Sequence, residues 1–514
     1  MPRRIFLFAG FILLVLVFEF AIDICAAPAG FGMQELDLGA PVKAVAWGDI
    51  DKDGDDDLVV ITVKVENKDY VRRLHLYWNK GKAGFSKDAA ELAVPDNACC
   101  FTVADLHPAA GDEVVFLMPD GLHAYRWEKD SFKGPDKLYE KKLFFRFPAP
   151  KSLPVWDFVR DFNNDGKDDI LVPVEKGFEV LLNVSDKVLS SSSLIPARTH
   201  ETYPSAAGER EFRNRFFTVR FWKRMPYIVD ENGDGRLDVV ILRKLKLVVH
   251  RQDKDGKFSS KPTREQHLYF LDKAWSTGSR LENVQFIFED INDDRRVDII
   301  YTHVLGEFGV FSSNKTEQSI FFQKKDGSFP KHTPDQKVNV PGISILPQLV
   351  DFDGDGDKDF LVSSLRTDVL SKLTSVVRSN MKISYFVYFF DKPKQVFSVS
   401  PDVTKTVSVP LAAVEQLGTV PFAYFTGDFD GDGRKDLLTM GQANQIAVYQ
   451  GTYVKPWFGD PYYSFAKKPM LKAKVKTSNW VKLVDLNKDG RTDVVLTYPF
   501  AQKHKNLVSI VYSK

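Results

Sequence analysis

A chain of 514 residues with 70 Lys and Arg against 69 Asp and Glu has almost no net field, which excludes broad electrostatic attraction to nucleic acid or an anionic membrane and leaves function to local arrangement. Its 44% hydrophobic and 27% charged content is that of an ordinary globular protein. The 41 Phe and 17 Tyr favour strands, because aromatic rings suit a half-buried pleated surface, so the composition points to an all-β fold.

The chain begins MPRRIFLFAGFILLVLVF, with Arg3 and Arg4 ahead of an apolar run from Ile5 to Phe18 and small Ala26 and Ala27 beyond it. This reads as a signal peptide over residues 1–27, ahead of one domain over 28–514, and predicts an exported protein: periplasmic, cell-surface or secreted. The run is shorter than the roughly 20 apolar residues that cross a bilayer, and Glu19 and Asp23 follow it, so no stable membrane span is expected after cleavage. A retained anchor is the alternative. Ile24 is too bulky for Cys25 to carry a lipid. Beyond the signal only the adjacent Cys99 and Cys100 remain, which cannot close a useful loop and read as two small buried hydrophobes.

The segment DIDKDGDDDLVVI at Asp49 returns along the chain, beginning again at Asp161, Asp230, Asp290, Asp351, Asp428 and Asp485, with an eroded copy, DLHPAAGDEVVFL, at Asp105. The repeat is about sixty residues long, which is the signature of a repeat architecture. Each unit has an apolar strand ending in the acidic loop, a β-branched run, a turn and further alternating strands. The second unit shows it in EVVFLM, the turn at Pro119, Asp120 and Gly121, and LHAYRW, since Asp-Gly between apolar runs is a hairpin signal. Four antiparallel strands per unit make one blade of a β-propeller. Eight loops predict eight blades, with seven if the eroded unit is absorbed elsewhere. Insertions near 190–215 and 365–382 lengthen two units and serve either as function-bearing loops or as surface decoration. After the last acidic loop only DVVLTYPF and NLVSIVYS remain, so the last blade lacks a strand, and MQELDL from Met33, near 33–38, is expected to supply it and close the ring.

The shared loop is D-x-[DN]-x-D-G-x-x-D. Four oxygen-bearing side chains within nine residues repel one another unless a hard cation neutralises them, and calcium, with 6 to 8 oxygen ligands in flexible geometry, fits that demand. Glycine at position 6 permits the positive φ that folds the chain back on itself. An EF-hand would need Glu at position 12 and flanking helices, whereas position 12 here is apolar, as at Val60, Val172, Val362 and Leu496. At Asp290 the glycine is replaced by Arg295, and the loop either adopts a costly left-handed residue or distorts, which leaves calcium there open. At Asp105 the replacements His107, Ala109 and Glu113 remove the expected oxygens, and no ion is expected.

These units resemble FG-GAP (VCBS) repeats and are similar to those of the integrin alpha-subunit N-terminal β-propeller. The resemblance implies calcium that rigidifies the first two strands of a blade, with partners bound on loops of the opposite face. Carried over, it implies six calcium sites whose ligands are Asp49, Asp51, Asp53 and Asp57; Asp161, Asn163, Asp165 and Asp169; Asp230, Asn232, Asp234 and Asp238; Asp351, Asp353, Asp355 and Asp359; Asp428, Asp430, Asp432 and Asp436; and Asp485, Asn487, Asp489 and Asp493. Position 7 would add the carbonyls of Asp55, Lys167, Arg236, Asp357, Arg434 and Arg491, and a seventh, open site would use Asp290, Asn292, Asp294 and Asp298. Eight units depart from the integrin seven and no further integrin domain follows, so adhesion is not implied.

The nine His are scattered without HExxH or zinc-like spacing, and there is no G-x-S-x-G elbow, phosphate loop or dinucleotide fingerprint, so no catalytic residues are assigned. The stretch REFRNRFFTVRFWKR from Arg210 reads either as a polyanion or sugar contact or as an exposed blade face. The expectation is a rigid, calcium-loaded scaffold for a protein or glycan, not an enzyme. A polysaccharide lyase-like propeller and a purely structural envelope protein are the alternatives.

Overall fold

A computed structural model of the protein describes residues 30–107, 111–145, 149–183, 189–202, 220–243, 245–271, 284–305, 315–365, 380–410, 423–441, 444–476, 478, 480–499, 501 and 503–514. The expected signal peptide at 1–27, most of the insertion at 365–382, residues 203–215 of the other insertion and the first ten residues of the Arg210 stretch lie outside them. Eight four-stranded sheets form, seven with their strands in sequence order and the eighth completed by the N-terminal strand. The fold is an all-β, eight-bladed propeller with antiparallel blades.

Blade 1 comprises Val42–Gly48, Asp57–Glu66, Asp69–Tyr77 and Ala90–Ala93. Blade 2, built from the eroded repeat, has a sheet of its own in Cys100–Ala104, Glu113–Met118, Gly121–Glu128 and Ser131–Glu140, which rules out seven blades. Blades 3 to 7 open with Val159–Arg160, Tyr227–Val229, Val284–Glu289, Ile343–Val350 and Ala423–Gly427. Blade 8 combines Trp480–Val484, Asp493–Thr497 and Leu507–Ser513 with the N-terminal strand Phe31–Asp37, which pairs antiparallel with Leu507–Ser513, Phe31 opposite Ser513 and Asp37 opposite Leu507.

The second strands are buried on both faces, as in Asp169–Val174 and Glu113–Met118. That is why they read as continuous apolar runs: each blade is covered by a neighbour on either side. Outer strands alternate instead, as in Gln336–Pro341 and Leu471–Lys474, because one of their faces meets water. The core accordingly lies between blades. Phe162, Phe178 and Val180 of blade 3 pack on Val239, Ile241 and Val248 of blade 4. At the closure Leu36, Val508 and Ile510 pack on Val42, Leu58 and Val60 of blade 1. Cys99 and Cys100 are buried and unbridged, and burial pushes the Cys100 thiol up to about 12, so neither is set up as a thiolate.

Candidate metal centres

In every blade the acidic loop joins the first strand to the second. Up-and-down pairing therefore puts all eight loops on one face of the ring, together with the connections between third and fourth strands. The loop is shaped by its own carboxylates. Position 1 accepts the N–H groups of positions 5 and 6, as Asp49 does from Asp53 (2.9 Å) and Gly54 (3.0 Å) and Asp485 from Asp489 (3.1 Å) and Gly490 (2.8 Å). Position 5 then accepts the N–H of position 7, from Lys167 to Asp165 (3.0 Å), Asp357 to Asp355 (2.8 Å) and Arg491 to Asp489 (2.9 Å). Such a turn requires a left-handed residue at position 6, supplied for example by Gly54 at φ 100° and Gly356 at φ 90°. Arg295 adopts φ 61° in the same place, and its N–H still reaches Asp290 Oδ2 at 2.9 Å. The Asp290 loop thus takes the left-handed residue and keeps its shape.

Three loops gather carboxylate oxygens within 4.8 Å of one another: Asp49, Asp51 and Asp53; Asp351, Asp353 and Asp355; and Asp428, Asp430 and Asp436. Burial, then the neighbouring Asp53, raises the pKa of Asp51; burial followed by Asp432 does the same for Asp430. Crowded carboxylates of this kind resist ionisation in the absence of a countercharge. In the loops with Asn at position 3 the amide bonds position 5, as Asn163 does with Asp165 (3.1 Å) and Asn232 with Asp234 (3.0 Å). Position-7 arginines fold back on position 5 in the pairs Arg236–Asp234, Arg296–Asp294 and Arg434–Asp432.

Position 9 has a further role that the sequence pattern did not reveal. Each of these aspartates uses one oxygen for the N–H of position 2 and the other for the N–H of a residue at the end of the third strand. Asp57 takes Ile50 (3.2 Å) and Asn79 (2.8 Å), Asp169 takes Phe162 (3.0 Å) and Asn183 (2.7 Å), and Asp436 takes Phe429 (2.8 Å) and Gly451 (2.7 Å). Asp238, Asp298, Asp359 and Asp493 repeat the clamp. All seven are buried, and burial pushes them from about 6 at Asp493 to about 8 at Asp359. In blade 2, Glu113 Oε2 accepts the Leu106 N–H (2.9 Å), while its Oε1 is buried without a partner.

Neighbouring loops are joined around the ring. Asp56 N–H donates to Leu486 O, Asp112 to Asp49 O, Leu237 to Phe162 O, Lys435 to Phe352 O and Thr492 to Asp428 O, at 2.6 to 3.2 Å. Side chains make the other three links: Asp105 N–H to Asp168, Gln323 to Glu231, and Lys358 to Asp290 O. Side chains from the third-to-fourth-strand connections also reach the loops. The Tyr453 hydroxyl donates to Asp353, the Gln450 amide to Asp430 (2.5 Å), and Lys392 bridges Asp293 and Asp357 at 2.8 Å each. Tyr453 lies 100 positions from its partner, so no local signal announces it.

No curated protein matches the chain. Similar solved structures include one described as the structural basis of specific recognition of non-reducing terminal N-acetylglucosamine by an Agrocybe aegerita lectin, 16% identical, covering 73% of this chain and 86% of that one, TM-score 0.39. Another is BBS1N in complex with ARL6DN, 8% identical, covering 92% and 93%, TM-score 0.30. Residues 428–496 match the FG-GAP-like repeat family. With the same loop and strand unit recurring around the ring, the match and the eight-bladed architecture fit an FG-GAP-repeat protein resembling the propeller of integrin alpha subunits.

Proposed function

We propose that this is an exported calcium-binding propeller that acts as a rigid scaffold, presenting loops to a protein or glycan ligand and carrying out no chemistry of its own. The observation that supports it most is the convergence of three carboxylate oxygens within 4.8 Å in each of three loops. Two ligands on opposite sides of a calcium ion, each at roughly 2.4 Å, are about 4.8 Å apart, so such a trio fits one coordination sphere. The donors are all oxygen, which suits calcium rather than zinc.

Positions 1, 3 and 5 would hold the ion with the carbonyl of position 7, in the loops at Asp49, Asp161, Asp230, Asp351, Asp428 and Asp485. Position 9 would join where it is within reach, as at Asp436. The ion would neutralise the crowded carboxylates and so stiffen a face whose loops are already linked to one another. Ligands are then expected on the opposite face, where the long connection after Thr202 and the one after Leu365 depart.

Melting curves in 1 mM calcium and in EGTA test the metal. At a Kd on the order of 10⁻⁴ M each site adds about 1.4 kcal/mol, so several sites should raise the melting temperature by many degrees; an unchanged curve would end the reading. A glycan array combined with ultraviolet assay of acidic polysaccharides tests the rest: retention without new absorbance is expected, and turnover would make the protein a lyase.

A further inference from the structure

The third and fourth strands of blade 7 are joined by a hairpin, Gly451–Val454 paired with Tyr462–Phe465, whose tip carries Trp457 at 98% and Phe458 at 93% exposure. No other exposed large hydrophobic side chain among the described residues except Val399 approaches these values. Its stem, by contrast, is firmly built. Gly451 N–H is held by Asp436 and the Gln450 amide by Asp430, while Tyr453 is bonded to Asp353. On the same face Tyr463, opposite Tyr453 across the hairpin, is buried, packs on Tyr453, Phe352 and Phe465, and donates to Lys435 O at 2.6 Å. Two aromatic side chains are therefore held away from the body on a braced stalk, where keeping them in water is unfavourable.

We propose that this tip inserts into the surface of a lipid bilayer. Its shape favours that occupant. Trp457 and Phe458 stand at the tip beside exposed Lys455, Gly459 and Asp460, with the part-exposed Tyr453 and Tyr462 on the stem behind them, a graded order of apolar tip and amphipathic collar that suits a bilayer surface. Trp and Phe suit the headgroup boundary of a membrane, where ring and water coexist. The course of the chain points to the same side. Strand Phe31–Asp37 begins beside Ser513, whose N–H is bonded to Asp493 and whose hydroxyl is bonded to Asp489, so the chain enters blade 8 on the acidic-loop face. That face is the one from which the hairpin rises, one blade away. The apolar run Ile5–Phe18 precedes Gly30 by a stretch able to span at most about 40 Å. On the alternative reading in which that run is retained as an anchor, a bilayer holding it would meet the propeller on the hairpin's side; after cleavage the tip would be the contact by itself.

Lys455 and Asp460 offset one another, so contact with zwitterionic lipid and little dependence on salt are expected. Two aromatic side chains bury less apolar surface than one acyl chain, so weak, reversible attachment is expected.

The test uses the full chain with phosphatidylcholine vesicles whose acyl chains carry bromine, which quenches only fluorophores that reach the bilayer. The Trp457 signal is isolated as the difference between wild type and Trp457→Phe. It should shift to shorter wavelength and be quenched, and Phe458→Ala should cut the quenched fraction at least two-fold while the melting temperature holds. The proposal is overturned if Trp457 keeps its water-exposed emission, or if quenching requires anionic lipid and vanishes with salt. It is equally overturned if the shift occurs without vesicles as protein concentration rises, which would make a second copy the occupant. None of these outcomes bears on the calcium reading, which is decided by melting with and without the ion.

Discussion

Asp112 of blade 2 and Asp49 of blade 1 hold each other by two hydrogen bonds: Asp49 N–H donates to Asp112 Oδ2 at 2.9 Å, and Asp112 N–H donates to Asp49 O at 2.8 Å. The same exchange joins blades 7 and 8, with Thr492 Oγ1 accepting the Asp428 N–H at 2.9 Å and Thr492 N–H donating to Asp428 O at 2.6 Å. A hydroxyl thus does in one junction what a carboxylate does in the other. Asp112→Ala should cost about 1–3 kcal/mol, because the Asp49 N–H loses its acceptor in a half-buried place. Asp112→Thr should recover most of that. Urea midpoints of the two variants check it; equal losses would mean that the side-chain bond contributes nothing.

Positions 5 and 9 of one loop should separate folding from ion binding. Asp436→Ala orphans the buried N–H groups of Phe429 and Gly451 and should cost about 2–5 kcal/mol even in EGTA. Asp432 is bonded to the Arg434 N–H and guanidinium and frames only the loop, so Asp432→Ala should change stability in EGTA by less than about 1 kcal/mol. Its effect should appear as a smaller calcium-induced rise in melting temperature. Denaturation of both variants with and without calcium tests the division.

The acid of blade 2 gives a pH signature. Burial pushes Glu113 up to about 7, above its unfolded value, so the native state binds the extra proton. Its contribution is therefore fully present below about pH 4.5 and is lost as pH rises through 7. Glu113→Gln stays neutral and keeps an oxygen for the Leu106 N–H. The variant should match wild type near pH 4.5 and exceed it above pH 7 by on the order of 1–3 kcal/mol. Stability curves at fixed millimolar calcium measure this, and a difference independent of pH would refute it.

The blades were legible in the sequence because a loop needing acid at fixed spacing and a strand covered on both faces leave unmistakable patterns. Even the eroded unit at Asp105 kept enough of its strands, EVVFLM and LHAYRW, to be counted. What the pattern concealed was the double use of aspartate. Asp57 and Asp53 look alike in a motif, yet Asp57 is a buried clamp and Asp53 an exposed loop member. The ring of junctions was hidden because mainly backbone groups carry it, so position 8 varies freely among Asp56, Leu237, Lys435 and Thr492. Trp457 and Phe458 gave no warning either, since apolar residues beside strands read as core until their surroundings are known.

Arg295 offers the sharpest test of the loop geometry. At φ 61° an arginine carries a penalty of about 1–2 kcal/mol that glycine avoids, partly offset by the larger entropy glycine loses on folding. The bonds that define the turn, Arg295 N–H to Asp290 and Arg296 N–H to Asp294, come from the backbone and survive the change. Arg295→Gly should therefore stabilise the protein by about 0.5–1 kcal/mol in EGTA. It also removes a positive charge from a turn proposed to receive a cation, so metal analysis at millimolar calcium should find up to one more ion per chain than in wild type. A variant that is less stable in EGTA would show that the arginine side chain contributes contacts outweighing its backbone strain, and an unchanged ion count would remove the Asp290 loop from the calcium sites.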